Sequence, residues 1–179
     1  MTLLQTPESS PLYDADRGRM GYVANYSRVF ALAPDVQAGW AGLSKALRSA
    51  MDPRRYQLVT LAAARRIGSR YCSLAFATAL REAFLDDAGL LDAVTGRSRL
   101  APVDVAVMEF AEIVAGDPSA VTPADVDRLR EHGLSETDIF HVIAAVAARR
   151  FFTTVLAATR TEPDEVYGSL DPEVRKALP

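Results

Sequence analysis

This sequence predicts an all-α domain, on three observations. Apolar residues recur at helical spacing through most of the chain. No segment alternates convincingly with period two. Capping residues or prolines open the periodic runs, and glycines close them. The pattern gives about seven or eight helices. The 179 residues suit one domain with end segments, and a hydrophobic content of 49% is enough for a full core.

Each element follows from its own signals. Residues 1–19 are polar, contain Pro7 and Pro11, and read as an irregular N-terminal arm. The helical domain is expected over 20–161, and a C-terminal tail with a short helix over 162–179. Pro34-Asp35 opens a helix whose Val36, Trp40, Leu43 and Leu47 form an apolar stripe. Asp52-Pro53 is an N-cap followed by proline, starting a helix that Gly68 ends near Ile67. Ser69 caps the next helix, which runs to about Leu85 and is ended by Asp86-Asp87-Ala88-Gly89. Residues 90–101 read as a short helix or turn followed by a loop. Pro102 opens a helix that stops at Gly116-Asp117-Pro118. Thr122-Pro123 starts another, with Gly133 as its stop. Ser135-x-x-Asp138 resembles a capping box before a long apolar helix. Asp171-Pro172 begins a last short helix.

Charge and cysteine content narrow the function classes. The net charge is −3, so no broad basic face is forced and nucleic acid is not an expected partner. The segment Ile139–Thr159 is the most apolar, but His141, Arg149 and Arg150 interrupt it, and it reads as a buried helix rather than a membrane span. One cysteine cannot form an internal disulfide, which points to a reducing cytoplasm. One cysteine and two separated histidines, His132 and His141, offer no metal-ligand spacing, and no Gly-rich phosphate loop occurs. No metal or cofactor is therefore expected. His132 reads as a solvated end-of-helix residue, His141 as a core or pocket residue, and Glu109 and Glu112 as a solvated helix edge.

Cys72 is the candidate site residue. A serine, Ser69, stands three positions before it, where a disulfide-cycling C-x-x-C motif has its other sulfur. With Ser69 as cap, Cys72 is the third helical residue, near free backbone N–H groups and the positive end of the helix dipole, which favour thiolate. Its neighbours Leu74, Ala75, Phe76 and Ala79 are apolar and disfavour charge. A reactive thiol and a buried structural cysteine both remain open on these residues.

The Tyr22-Val-Ala-Asn25 entry, the Pro34-x-x-x-x-x-Trp40 helix, the helix before Cys72 and the Gly133–Ile139 segment leading to a long apolar helix together resemble the carboxymuconolactone decarboxylase and alkylhydroperoxidase D-like superfamily, over about 21–165. The resemblance implies an alkylhydroperoxidase D-like helical domain, homo-oligomers and peroxiredoxin-type antioxidant activity. Active members carry a glutamate, a C-x-x-C pair opening a helix, and a histidine one turn past the second cysteine. Here Cys72 matches the second cysteine, whereas Gln57, Ser69 and Phe76 stand at the glutamate, first-cysteine and histidine positions. The dithiol cycle is thereby lost. What remains is a weak or absent hydroperoxide reductase activity, through Cys72 and an external thiol reductant; the alternative is an inactive relative that binds a small ligand or serves as an oligomeric scaffold.

Overall fold

The computed structural model describes residues 2–179. Its regular structure among those residues is ten α-helices and two short 3-10 turns. The centre is α4 (Pro53–Ile67), whose run from Leu58 to Ala64 is buried throughout. Ala62, Ala63 and Ala64 carry little side chain, so neighbouring helices approach this stretch closely. Against α4 pack α5 (Arg70–Ala83), α7 (Pro102–Gly116) and α9 (Glu136–Ala158). The last of these is long and apolar enough to cross a membrane, yet half of its apolar window is buried inside this fold, against α4, α7 and α3 (Pro34–Ala50).

The expected caps are in place. Asp52 accepts from the Arg55 N–H at 2.8 Å at the start of α4. Thr122 with Asp125, and Ser135 with Asp138, form reciprocal capping boxes at α8 (Pro123–Glu131) and α9. Gly68 and Gly133 adopt positive φ, 81° and 84°, at the helix ends where the left-handed conformation is needed.

Four expectations need correction. The arm expected over 1–19 contains a helix, α1 (Pro11–Met20), with Ser10 accepting from the Leu12 N–H at 3.3 Å, Pro11 in the first turn and Gly21 as the left-handed stop. Its largely charged surface gives no apolar stripe to read. A second helix, α2 (Asn25–Phe30), is only six residues long, too short for periodicity. With them the described residues hold ten helices, eight of them long, in line with the expected seven or eight. Third, α5 stops at Ala83, because Asp86 does not end it but caps α6 (Asp87–Thr95), accepting from the Gly89 N–H at 2.6 Å. Fourth, Glu109 and Glu112 are not a merely solvated edge: Arg128 pairs with Glu109 at 2.6 Å, and Arg97 with Glu112 through both carboxylate oxygens.

Both end segments lie on their own chain. The Leu3 N–H donates to the Thr159 carbonyl at 2.8 Å. In the tail, α10 (Pro172–Ala177) packs on α6 with Val174 buried. Asp164 accepts from the Asn25 N–H at 2.8 Å and from the Tyr71 hydroxyl, joining the tail to α2 and α5. On α3, Leu47 and Ser44 are buried and Trp40 is half-buried, while Val36 and Leu43 of the expected stripe stay exposed.

Candidate functional site

The turn between α4 and α5 is minimal: Gly68 reverses the chain and Ser69 caps the new helix. The Ser69 N–H closes the turn on the Ala64 carbonyl at 2.9 Å, and the Ser69 hydroxyl accepts from the Cys72 N–H at 3.4 Å. This fixes Cys72 in the first turn of α5, 1% exposed but lining a solvent-connected cavity of about 330 Å³. Gln57 and Phe76 line the same cavity. Three of the four positions matched to the redox motif thus converge around one space, and the fourth, Ser69, is committed to the cap.

Arg149 is the residue that sequence reasoning left out. From the middle of α9 its Nη1 reaches the Cys72 sulfur at 3.7 Å. It is buried (4% exposed), forms no ion pair with any described carboxylate, and its Nε has no partner. An unpaired buried charge costs several kcal/mol. Aromatic faces offset part of that cost: the guanidinium lies 4.4 Å from the Phe76 ring centre, 5.3 Å from Phe152 and 5.9 Å from Trp40. Phe76 is therefore one wall of a cage that holds a cation against the sulfur. The sequence signal was an arginine in the most apolar segment of the chain.

The rest of the cavity is aromatic and free of acids. Tyr26, Trp40, Tyr71, Phe152 and Tyr167 line it, with Arg19 and Arg48. Trp40 stacks on Phe152 at 4.3 Å, and Tyr26 meets Phe152 edge-on at 5.4 Å. Arg19, Tyr26, Trp40 and Arg48 also line an adjoining cleft of about 460 Å³, where α1 and α2 face α3. There Asp16 takes the charge of Arg19 at 3.0 Å, while Arg48 has no carboxylate partner among the described residues.

The phenols divide by environment. Burial pushes the Tyr71 pKa well above the usual tyrosine value, assisted by Tyr167 and the hydrogen bond to Asp164. Tyr167 is raised by burial and by Asp164. Both stay protonated at any ordinary pH. Tyr56 differs: burial alone would raise it, but Arg149, the Ser44 hydroxyl at 3.4 Å and Arg48 together outweigh burial and lower it. Elsewhere, His132 caps the end of α8 and is exposed, as expected, and His141 is half-buried beside Phe140, outside the cavity lining. Among the described residues no three His, Cys, Asp or Glu side chains cluster as a metal site would require.

The sequence matches no protein-family model, and no curated protein matches it. Solved structures do resemble the fold. An uncharacterized peroxidase-related protein from Ralstonia eutropha JMP134, described as an alkylhydroperoxidase AhpD core, superposes with a TM-score of 0.83 at 19% identity, over 93% of this chain and 94% of that one. A peroxidase-related protein from Silicibacter sp. TM1040 gives 0.83 at 19% identity, over 94% of each chain. The apo debrominase Bmp8 gives 0.78 at 16% identity, over 97% of this chain and 96% of that one. A cysteine-to-alanine variant of that debrominase, in complex with 2,3,4-tribromopyrrole, gives 0.73 at 17% identity, over 98% and 94%. The all-helical chain described here has the alkylhydroperoxidase D-like fold.

Proposed function

We propose that the chain is a one-cysteine thiol reductase built on this fold, with Cys72 as its nucleophile. The observation that carries it is the placement of the Arg149 guanidinium, without an acid of its own, 3.7 Å from the Cys72 sulfur at the cavity wall. A fixed positive charge there can offset the negative charge that the sulfur carries as it attacks. A hydroperoxide is the simplest substrate. The thiolate forms an S–O bond as the O–O bond breaks, the departing alkoxide takes a proton from water and leaves as the alcohol, and the sulfur becomes a sulfenic acid. Ser69 cannot resolve that sulfenic acid, so an external thiol forms the S–S bond, releasing water, and a second thiol frees Cys72 as the disulfide of the reductant.

A small halogenated ring is a second substrate type, suggested by the debrominase of similar fold whose cysteine-to-alanine variant holds 2,3,4-tribromopyrrole. The alternative of a ligand-binding relative without turnover is favoured by Gln57 and Phe76, which leave no carboxylate or imidazole on the cavity wall. The test is thiol-dependent consumption of cumene hydroperoxide, alongside trapping of sulfenic acid on Cys72. Consumption that disappears in Cys72→Ala supports the reductase. A wild-type protein that forms no sulfenic acid and shows no turnover sinks it and leaves the ligand-binding alternative. A reducing, cytoplasmic setting and a homo-oligomer belong to the same proposal. Val36, Leu43, Phe140 and Phe151 remain exposed for a second copy to cover. Light scattering at several concentrations checks the assembly, and a strict monomer contradicts it.

A further inference from the structure

Resting on the reading of the Cys72 cavity as a substrate site, we infer that its ligand is a small planar aromatic anion of the benzoate class, whose ring lies against Trp40 and Phe152 and whose charge is met by Arg149 and Arg48. Three features of the site require both halves of that description. The first is charge. Of the residues lining the cavity, Arg19, Arg48 and Arg149 are cationic and none is acidic. Asp16 neutralises Arg19 from the adjoining cleft, which leaves Arg48 and Arg149 without a counter-charge. Tyr71 and Tyr167 stay neutral and contribute no negative charge. A buried guanidinium is retained against its desolvation cost where an anion completes it, and the sulfur of Cys72 occupies only one side of Arg149.

The second feature is shape. Trp40 and Phe152 are stacked at 4.3 Å and Tyr26 stands edge-on to Phe152, so flat aromatic rings make up much of the lining. Flat aromatic walls favour a flat aromatic guest over a flexible chain. The third is size: about 330 Å³ lies at the small end of ligand pockets and admits one substituted ring rather than a fused or extended ligand.

Trp40 is the only tryptophan in the chain and lines the cavity, so its fluorescence reports binding directly. Benzoate, benzamide and cyclohexanecarboxylate are titrated into the wild-type protein and into Cys72→Ala, Arg48→Gln and Arg149→Gln. Benzoate is expected to bind about tenfold more tightly than benzamide, the factor that one charge-assisted hydrogen bond supplies, and several-fold more tightly than cyclohexanecarboxylate, which keeps the charge but loses the flat ring. Arg48→Gln, at the exposed cavity mouth, is expected to weaken benzoate several-fold and leave benzamide unchanged, whether or not Arg149→Gln folds. Binding of benzoate to Cys72→Ala is retained, which separates the two proposals: benzoate-selective binding with no thiol turnover removes the reductase and keeps this inference. Equal binding of benzoate and benzamide, cyclohexanecarboxylate binding as tightly as benzoate, or quenching of Trp40 by none of the three overturns it.

Discussion

Arg149 is held by sulfur and by aromatic faces rather than by a carboxylate, so replacing it separates stability from reactivity. Methionine has a similar volume, fills the cage of Phe76, Phe152 and Trp40, and carries no charge to desolvate. Arg149→Met is therefore expected to leave stability within about 1–2 kcal/mol of wild type or to raise it. Alkylation of Cys72 at neutral pH should slow by about tenfold, because the attacking sulfur loses its only cationic neighbour within hydrogen-bonding reach. Urea unfolding and iodoacetamide kinetics on the same samples measure the two effects. A large loss of stability with unchanged alkylation would make Arg149 a structural residue only. The half of the site near Cys72 was legible in the sequence because Gln57, Ser69, Cys72 and Phe76 lie on adjoining helices at regular spacing. The other half was not. Arg149 meets Cys72 across 77 positions, and Trp40, Tyr26 and Tyr167 come from three further elements. No local period encodes that convergence.

The α4–α5 turn is the element on which the geometry of the thiol depends. Ser69 supplies the side-chain acceptor at the start of α5, and its loss in Ser69→Ala should cost about 1 kcal/mol by urea unfolding. The first turn would fray, and Cys72 would lose its fixed distance to Arg149, so alkylation should become faster with bulky reagents as the sulfur grows accessible. Gly68→Ala strains the left-handed φ of 81° and should cost about 1–2 kcal/mol without moving the cap. Comparing the two variants separates capping from turn strain: only Ser69→Ala is expected to change alkylation. Elements of this kind, bounded by Asp52-Pro53, Thr122-Pro123, Ser135 and glycine stops, were readable because caps and breakers act within a few residues. At the N-terminus α1 escaped because its outer face is charged and α2 because it spans less than two turns, although Ser10-Pro11 already carried a cap signal.

At the scale of the whole molecule, one buried knot ties the tail to the core. Asp164 receives the Asn25 N–H and the Tyr71 hydroxyl, and Tyr167 packs edge-on against Tyr71 at 5.8 Å. The C-terminal segment thereby closes one side of the Cys72 cavity. The knot also sets the alkaline limit of the fold. Burial first, with the neighbouring phenols and Asp164 adding to it, raises the pKa values of Tyr71 and Tyr167 in the folded state above the value of about 10 that an unfolded tyrosine has. Their contribution is fully present below that unfolded value. Above it the unfolded chain binds fewer protons than the folded one, so stability falls as pH rises. Each group contributes a slope approaching about 1.4 kcal/mol per pH unit in that window. Urea unfolding at intervals from pH 8 to 11.5 is thus expected to show a plateau and then a steep decline beginning near pH 10. Absorbance of tyrosinate should show two phenols ionising only as the chain unfolds. Tyr71→Phe removes one late phenol and one hydrogen bond to Asp164. It should lower stability at neutral pH by about 1–3 kcal/mol, make the alkaline decline shallower, and let the tail release from the cavity at lower urea. Equal alkaline slopes in the two proteins would show that the knot does not control the high-pH transition.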